Sequence, residues 1–389
     1  MSKNLLLSTD SYKTSHWNQY PPGASKITSY IEARSGEGLQ DVVFFGLQAA
    51  MIEYFENPVT RWDVDEAEAI IKGSGLPFNR TGFDYMVEAF GGYAPLKIDA
   101  IPEGSVVPRG TPLVTIENVG GPKTLWATSY FETLLLRGIW YPTTVASLSY
   151  SIRKTIASYW LKTVDEANMG GMDFALHDFG ARGATSGESA AIGGLAHLLN
   201  FSGTDTLEAN LAGRDYYDTD GQVVGYSIPA AEHSTITSWG QERETEAYEN
   251  ILTNYPTGIV AVVSDSYDLF NAVNNIWGNA LKDDVVSRQG RVVIRPDSGD
   301  PIEITLKTVE ALGDKFGFTV NSKGYKVLPE YIRMIQGDGV TAMTIGAILN
   351  NFAVHGWSAE NIAFGMGGGL LQQVNRDTLR FAMKACEID

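Results

Sequence analysis

Arg295 and Asp297 lie two residues apart in the segment IRPDSG (294–299), directly after an apolar run. Alternate residues of a strand face the same side, and Pro296 holds Arg295 in an extended conformation. Such a pair can hold a sugar phosphate, because a guanidinium binds phosphate oxygens and a carboxylate accepts hydrogen bonds from ribose hydroxyls. An Arg–Asp ion pair that closes a turn is the structural alternative.

Two further apolar runs end in residues that could recognise a flat, polar ring. HDFGARG (177–183) contains Phe179, which could stack on a planar ring, and Arg182, which could bind a phosphate. SGTD (202–205) ends in Asp205, a carboxylate that accepts hydrogen bonds from N–H donors and repels other carboxylates. The structural alternatives are a core Phe, a surface Arg and a helix-capping Asp.

His233 lies in AAEHSTITSWG (230–240), where it could act as an acid, a base or a nucleophile. A lone histidine is more often structural, but this one follows an apolar run, as the residues above do. Asp265 has the same position in VVSDSYD (262–268). One cysteine and five scattered histidines exclude a Cys-rich metal site and argue against a zinc site.

QGDG (336–339) and FGMGGG (364–369) are glycine-rich turns that follow the last two apolar runs. Exposed backbone N–H groups in such turns form a cradle for anions, and a following helix N-terminus strengthens it. The second turn does not fit the pattern G-x-G-x-x-G, so the sequence has no dinucleotide-binding fingerprint there.

These clusters recur at a regular spacing. Markers taken from the ends of the seven runs are separated by 27, 28, 32, 32, 41 and 29 residues: Asp178, Asp205, His233, Asp265, Asp297, Asp338 and Gly367. A strand with its crossover helix takes ~30 residues, so the spacing predicts a (β/α) barrel of seven or eight parallel strands. An open doubly wound sheet is the alternative, and in both folds ligands bind at the carboxyl ends of the strands.

The first 168 residues have a different pattern and predict an N-terminal α+β domain, with the barrel over 169–372. SKITSYIEAR (25–34) alternates like a strand, and VDEAEAIIKG (64–73) predicts a short helix. Residues 95–117 predict several short antiparallel strands. Apolar residues at three- and four-residue steps over 145–160 predict a buried helix.

The overall charge limits the classes of function. The 389 residues carry 29 Lys and Arg against 46 Asp and Glu, a net charge of −17, which argues against nucleic-acid and polybasic membrane-surface proteins. The single cysteine, Cys386, allows no intrachain disulfide, and the N-terminal residues lack a secretory signal pattern, so we expect a cytoplasmic protein. No apolar run approaches the ~18 residues of a membrane helix.

Long stretches of the chain resemble the nicotinamide phosphoribosyltransferase family, which belongs to the type II phosphoribosyltransferases. They include TDSYKTSH (9–16), LHDFGARGATSGESA (176–190), GYSIPAAEHSTITSWG (225–240), VVSDSYD (262–268), IRPDSG (294–299) and ENIAFGMGGGLLQ (360–372). The resemblance implies that nicotinamide and phosphoribosyl pyrophosphate give nicotinamide mononucleotide and pyrophosphate in NAD biosynthesis, with Mg²⁺ and ATP as cofactors. It also implies a homodimer with shared active sites, and a segment 373–389 that begins a return to the N-terminal domain.

The resemblance implies a role for each residue of a base pocket. Phe179 and Tyr12 of the partner subunit would sandwich the pyridine ring. Asp205 would accept a hydrogen bond from the carboxamide N–H, and Ser227 would be a further substrate-binding residue. A neutral amide can donate to Asp205, whereas the carboxylate of nicotinate would be repelled.

The resemblance also implies a phosphate-handling group. His233 would be phosphorylated by ATP, with Asp265 beside it, and Arg295 and Asp297 would hold the phosphoribosyl part. The remaining residues would meet phosphate or pyrophosphate oxygens, some of them across the dimer: Gly337, Asp338, Gly367, Gly368, Arg182, Arg34, Arg376 and Lys384.

Two features depart from the family pattern. Met366 stands in FGMGGG where the family usually has Ser, which predicts the loss of a hydroxyl near the phosphate, and the chain ends before the family's usual length. Two alternatives therefore stay open: an enzyme that takes nicotinate, and a catalytically weak short form that only binds ligand or a partner subunit. An unrelated aldolase would need a strand-end Lys for a Schiff base, and none of the seven runs ends in one.

Overall fold

A computed structural model describes residues 4–34 and 38–389. It contains two compact units. The N-terminal unit comprises Met1–Leu148, Ala212–Asp220 and Val374–Asp389. The barrel unit comprises Ser149–Leu211 and Gly221–Gln373.

The strands of the described residues are β1 (Ile27–Glu32), β2 (Asp41–Val43), β3 (Leu96–Ala100), β4 (Val106–Pro108), β5 (Pro112–Asn118), β6 (Leu176–Asp178), β7 (Gly203–Thr204), β8 (Thr257–Val263), β9 (Gln289–Arg295), β10 (Thr319–Val320), β11 (Lys326–Val327), β12 (Ile332–Gln336), β13 (Ile362–Met366) and β14 (Ala382–Ile388). The α-helices are α1 (Leu47–Ala50), α2 (Arg61–Gly73), α3 (Arg80–Phe90), α4 (Trp126–Tyr130), α5 (Glu132–Thr163), α6 (Gly187–His197), α7 (Leu207–Tyr217), α8 (His233–Thr237), α9 (Glu244–Asn254), α10 (Leu269–Asn271), α11 (Lys282–Ser287), α12 (Pro301–Phe316), α13 (Ala342–Val354) and α14 (Gly368–Leu371). Short 3₁₀ and π segments join them.

The N-terminal unit is built on an antiparallel sheet in the order β14–β1–β5–β3. Alternate residues of β1 are buried, as the pattern of 25–34 predicts, and its pairing with β14 runs from Ile27↔Ile388 to Glu32↔Ala382. The helix predicted at 64–73 is α2, which begins earlier because Thr60 and Asp63 form a capping box. The short antiparallel strands predicted over 95–117 are β3, β4 and β5.

The barrel unit contains a six-stranded parallel sheet in the order β7–β6–β13–β12–β9–β8. Residues 226–230, here called the bridging segment, link its two edges through parallel bridges Gly203↔Tyr226 and Ala230↔Ala261. The apolar run before His233, the third of the seven in chain order, is thus present only as isolated bridges, because Pro229 has no N–H to donate to a ladder. The prediction of a (β/α) barrel with an N-terminal α+β domain is confirmed.

The barrel interior is apolar where the strands are continuous. Ala261, Val293 and Ile335 pack together there, with Ile228 and Ala363 against them. Strands buried on both faces read as nearly continuous apolar runs, which is why β8, β9 and β12 are recognisable in the sequence. None of the helices in the described ranges combines the length and apolar character that crossing a bilayer requires.

Candidate active site

The predicted site residues of the barrel unit lie at the carboxyl ends of its strands. Asp265 follows β8, and Arg295 is the last residue of β9. Alternate residues of a strand share a side, so these two continue the inward-facing rows that contain Ala261 and Val293. Because the strands are parallel, their polar ends gather at one end of the barrel.

Two glycines make room for the ring of Phe179 inside the barrel. A Cβ atom on Gly365 would lie 1.9 Å from Cε2 of the ring, and one on Gly337 would lie 3.4 Å from the same atom. The Phe179 N–H donates to the carbonyl oxygen of Met366 at 3.0 Å, which ties the residue to the end of β13. The half-buried ring therefore lies against the backbone, above the apolar interior, where a flat ligand can stack on it.

Asp205 and Ser227 form a hydrogen-bonded pair at the mouth of the barrel. The Ser227 hydroxyl donates to Oδ1 of Asp205 at 2.5 Å and joins the bridging segment to the residue that follows β7. A carboxylate has several acceptor positions, so Asp205 can accept a further hydrogen bond from a ligand N–H while it holds Ser227.

A cavity of about 620 Å³ lies inside the barrel unit. Its lining includes His177, Ser227, Val293, Ile335 and Ala363. Burial lowers the pKa of His177, so this side chain is neutral near pH 7. Four charged side chains near the amino ends of β9, β12 and β13 also line it: Arg291, Glu330, Arg333 and Glu360. The cavity therefore extends to the end of the barrel opposite the predicted site residues.

His233 is the first residue of α8 and faces two carboxylates. Its Nε2 lies 3.3 Å from Oδ2 of Asp297 and 4.0 Å from Oδ1 of Asp265. Its Nδ1 lies 3.1 Å from the hydroxyl oxygen of Ser266. The side chain is 47% exposed, so a phosphoryl donor can reach the ring.

Asp265 connects the loops that follow β8 and β9. Its Oδ2 accepts the Asp297 N–H at 2.8 Å and the Ser298 hydroxyl at 2.6 Å. Its Oδ1 is buried and has no hydrogen-bond partner among residues 4–34 and 38–389. Arg295 Nη2 lies 3.6 Å from Oδ2 of Asp297, so the Arg–Asp pair considered above exists, and it lies within this cluster of polar residues.

The donor set of the cluster bears on magnesium binding. No group of three or more His, Cys, Asp or Glu side chains within the described part of the chain is arranged to hold a metal ion. Mg²⁺ commonly binds through one or two protein carboxylates together with waters and substrate phosphates. Asp297 and Asp265, whose Oδ1 has no hydrogen-bond partner in the described residues, supply one or two such carboxylates. They would hold Mg²⁺ together with a phosphate-bearing ligand.

Comparison with known proteins gives matches over nearly the whole chain. The model of the nicotinamide phosphoribosyltransferase N-terminal domain matches residues 4–98, and that of the nicotinate phosphoribosyltransferase (NAPRTase) family matches residues 174–389. A nicotinamide phosphoribosyltransferase of Xanthomonas campestris pv. campestris is 50% identical over 387 residues, which are 99% of this chain and 81% of that protein. The chain belongs to the nicotinamide phosphoribosyltransferase family. The resemblance predicted from the motifs is confirmed.

Other members of the nicotinamide phosphoribosyltransferase family are more distant. The protein of that name in Acinetobacter baylyi is 32% identical over 98% of this chain and 82% of its own length, and that of Mycoplasma pneumoniae is 31% identical over 98% and 89%. Among solved structures, human nicotinic acid phosphoribosyltransferase has a TM-score of 0.62 at 16% identity, covering 98% of this chain and 74% of that one. Nicotinate-nucleotide pyrophosphorylase from Pyrococcus furiosus has a TM-score of 0.62 at 13% identity, covering 100% and 77%. These two structures share the fold.

Some residues that the family pattern assigns to ligands lie in the N-terminal unit: Tyr12, Arg34, Arg376 and Lys384. The Tyr12 side chain is exposed. Arg34 Nε donates to the Arg380 carbonyl oxygen at 3.0 Å, and Arg376 Nη2 lies 3.3 Å from Oδ1 of Asp377. The roles of these residues in the site stay predictions.

The other family positions assigned to phosphate lie in loops of the barrel unit. Arg182 and Asp338 are exposed after β6 and β12, and Gly367 and Gly368 follow β13 at the start of α14. Met366, the departure from the family pattern, is buried, and its Cε would lie 2.8 Å from a Cβ on Gly369. Its side chain is on the opposite side of β13 from Gly365, and therefore outside the barrel interior.

Sequence reasoning missed two residues of the site that the structure reveals. The sequence pattern does not single out Ser266 among the polar residues after β8, yet its hydroxyl oxygen lies 3.1 Å from His233 Nδ1. The glycine-rich pattern predicts that Gly365 is part of an anion cradle, whereas in the structure Gly365 leaves the space that the Phe179 ring fills. The pairing of β6 with β13 brings Gly365 and Phe179 together, and a single sequence carries no signal for the register of that pairing.

Proposed function

We propose that this chain transfers the phosphoribosyl group of phosphoribosyl pyrophosphate to nicotinamide and releases pyrophosphate. The observation that carries the proposal is the Asp205–Ser227 pair beside the Phe179 ring and the interior cavity, in a member of the nicotinamide phosphoribosyltransferase family. A stacking ring and a carboxylate acceptor match the two chemical features of nicotinamide, a flat ring and a neutral amide.

The base pocket favours nicotinamide over nicotinate for an electrostatic reason. Asp205 holds the Ser227 hydroxyl through Oδ1, which orients the carboxylate and leaves acceptor capacity for an amide N–H. The carboxylate of nicotinate would meet the like charge of Asp205 at the same place. The half-buried Phe179 ring fixes the plane of the base and therefore the line along which its ring nitrogen attacks.

In the reaction, the bond between the anomeric carbon and the pyrophosphate oxygen breaks, and pyrophosphate leaves with the bonding electrons. The lone pair of the pyridine nitrogen forms the new bond to that carbon, so no catalytic base is needed. Arg295 and Asp297 hold the phosphoribosyl part, and the turns 336–339 and 364–369 offer backbone N–H groups to its phosphate. Asp265 and Asp297 would hold Mg²⁺ together with the substrate, and the ion would neutralise charge on the departing pyrophosphate.

His233 is proposed to couple the reaction to ATP. The terminal phosphoryl group of ATP passes to a ring nitrogen of His233 and ADP leaves; water later releases inorganic phosphate. The exposed imidazole and the carboxylates of Asp265 and Asp297 beside it support this role, because they can stabilise the ring in the state that accepts the phosphoryl group.

The proposal includes a homodimer whose subunits share their active sites. Tyr12 of the partner subunit would cover the base on the face opposite Phe179, and its exposed ring supports this assignment. Arg34, Arg376 and Lys384 would add positive charge for phosphate oxygens. The single cysteine supports a cytoplasmic location.

The proposed function is tested by pyrophosphate release from the 389-residue chain with phosphoribosyl pyrophosphate, Mg²⁺ and ATP, and with nicotinamide or nicotinate as the base. Faster release with nicotinamide is the expected result. Faster release with nicotinate would make the chain a nicotinate enzyme. Calorimetry that detects binding of nicotinamide mononucleotide, with no turnover of either base, would identify a form that only binds ligand.

A further inference from the structure

Asp178 has a fully buried carboxylate between the two parts of the proposed base pocket. It is the last residue of β6, and Phe179 follows it directly. In the sheet it is aligned with Thr204 of β7, the residue before Asp205. Asp178 therefore lies where the strands that carry the stacking ring and the amide acceptor meet.

Three donors surround the carboxylate. Oδ1 accepts the Gly180 N–H at 2.7 Å. Oδ2 accepts the Thr206 hydroxyl at 2.7 Å and the Thr204 hydroxyl at 3.4 Å. The carbonyl oxygen of Asp178 accepts the Asp205 N–H at 2.9 Å. One residue thus holds the loop after β6 through one oxygen and the loop after β7 through two others.

The surroundings fit a carboxylate better than an amide. A Cβ atom on Gly180 would lie 3.0 Å from Oδ1, and one on Gly194 of α6 would lie 3.1 Å from Oδ2, so glycines leave the space that the group occupies. Burial raises the pKa of Asp178, and the hydrogen bonds from Thr206, Gly180 and Thr204 lower it. The groups that contact the two carboxylate oxygens are all hydrogen-bond donors. An Asn side chain at this position would point its own N–H donors at one of them, and that hydrogen bond would be lost.

We propose that Asp178 is a positioning residue of the base pocket, which sets the Phe179 ring and the Asp205 carboxylate at the spacing that nicotinamide requires. The proposal rests on the proposed function. The carboxylate itself is fully buried and its oxygens face Gly180, Thr204 and Thr206, so it acts on the ligand only through its neighbours.

This role predicts that a substitution at Asp178 affects mainly the binding of the base. Of the proposed contacts of phosphoribosyl pyrophosphate, Arg182 alone lies in the loop after β6, whereas Arg295 is on β9, which is not adjacent to β6 or β7 in the sheet. A loosened link between β6 and β7 should therefore weaken the binding of nicotinamide much more than that of phosphoribosyl pyrophosphate.

The test compares Asp178→Asn with the pair Thr206→Val and Thr206→Ser. Asp178→Asn should raise KM for nicotinamide about tenfold and change KM for phosphoribosyl pyrophosphate less than about twofold, because a hydrogen bond to a charged group is lost beside the base pocket only. Thr206→Val should raise KM for nicotinamide by a smaller factor. Thr206→Ser, which keeps the hydroxyl, should leave KM for nicotinamide at the wild-type value.

The matched control is Ser358→Ala. Ser358 is fully buried in the same unit, and its hydroxyl donates to the Thr163 carbonyl oxygen at 3.0 Å. This variant should lower the melting temperature and leave both KM values unchanged. It separates a general loss of stability from a change in the base pocket.

Equal rises in both KM values, or the same rise with Thr206→Ser as with Thr206→Val, would overturn the proposal, because they would indicate general loosening of the barrel. If Asp178→Asn does not fold, the two Thr206 variants decide the question by themselves. A wild-type protein that binds nicotinamide without turnover would refute the proposed function instead, and the same variants would then be compared by calorimetry with nicotinamide and phosphoribosyl pyrophosphate separately.

Discussion

Gly365→Ala tests whether the backbone of β13 supports the ring of Phe179. A Cβ atom at this position would lie 1.9 Å from Cε2 and 2.1 Å from Cδ2 of the ring. Non-bonded carbon atoms pack at ~3.5 Å, so the ring or the strand must move by about 1.5 Å. The Phe179 N–H is held by the Met366 carbonyl oxygen, so the ring must move more than its backbone, into the base pocket.

The expected loss follows from the cost of overpacking. An extra carbon in a well-packed site costs ~1–3 kcal/mol, which corresponds to a change of ~5- to 150-fold in an equilibrium constant. We expect most of this loss in the affinity for nicotinamide, because the displaced ring enters the volume that the base would occupy. Gly337→Ala is the matched control: its Cβ would lie 3.4 Å from the same ring atom, close to ordinary contact, and should change the affinity less than about threefold.

The assay is a titration of initial rates with nicotinamide at saturating phosphoribosyl pyrophosphate, supported by calorimetry with the base alone. A double-mutant cycle with Phe179→Ala identifies the cause, because without the ring the added methyl group has no neighbour to displace. Gly365→Ala should then add almost nothing to the loss of nicotinamide affinity that Phe179→Ala causes. Equal effects of the two glycine substitutions, or full additivity in the cycle, would refute the reasoning.

Three further perturbations test other parts of the protein. His233→Ala should retain phosphoribosyl transfer and abolish its stimulation by ATP; unchanged stimulation in a steady-state assay would contradict the assignment. Asp205→Arg should shift the preference from nicotinamide to nicotinate in a competing-base assay, because a guanidinium pairs with a carboxylate and cannot accept an amide N–H, and an unchanged preference would count against the pocket. His197 is fully buried between the Ser149 hydroxyl and the Gly203 carbonyl oxygen, and burial lowers its pKa from 6.5 to about 3. Between those values only the unfolded chain gains the proton, so the free energy of unfolding falls by up to ~1.4 kcal/mol per pH unit as the pH drops. His197→Gln should make urea unfolding less dependent on pH between pH 7 and pH 5, and a slope as steep as that of the wild type would show that another group causes it.

The barrel could be predicted from the sequence because a strand and its crossover helix require a minimum length of chain. The seven apolar runs spaced by that length are the six strands of the parallel sheet and the bridging segment, in chain order. The two-residue period of a strand likewise predicts that Arg295 and Asp297 share a side, and their charged atoms lie 3.6 Å apart.

Contacts that depend on the register between strands could not be predicted in this way. Ser266 meets His233 across two loops, and Gly365 meets Phe179 across two paired strands. Both pairs are fixed by which residues of neighbouring strands are aligned, and the spacing of apolar runs within one chain does not specify that alignment. The same limit applies to Tyr12, whose proposed neighbour belongs to a second copy of the chain.

The order of the elements around the barrel separates the residues proposed to recognise the base from most of those proposed to bind phosphate. Phe179 and Asp205 follow β6 and β7, whereas Asp297 follows β9. The bridging segment lies between these groups, with Ser227 paired to Asp205 within it and His233 facing Asp297 shortly after it. A change of charge at His233 therefore acts first on the phosphate side, since it lies beside Asp297 and Asp205 keeps its own hydrogen-bond partner. If ATP phosphorylates His233 as proposed, the binding of phosphoribosyl pyrophosphate would change more than that of the base, because Asp297 follows β9 whereas Phe179 and Asp205 follow β6 and β7.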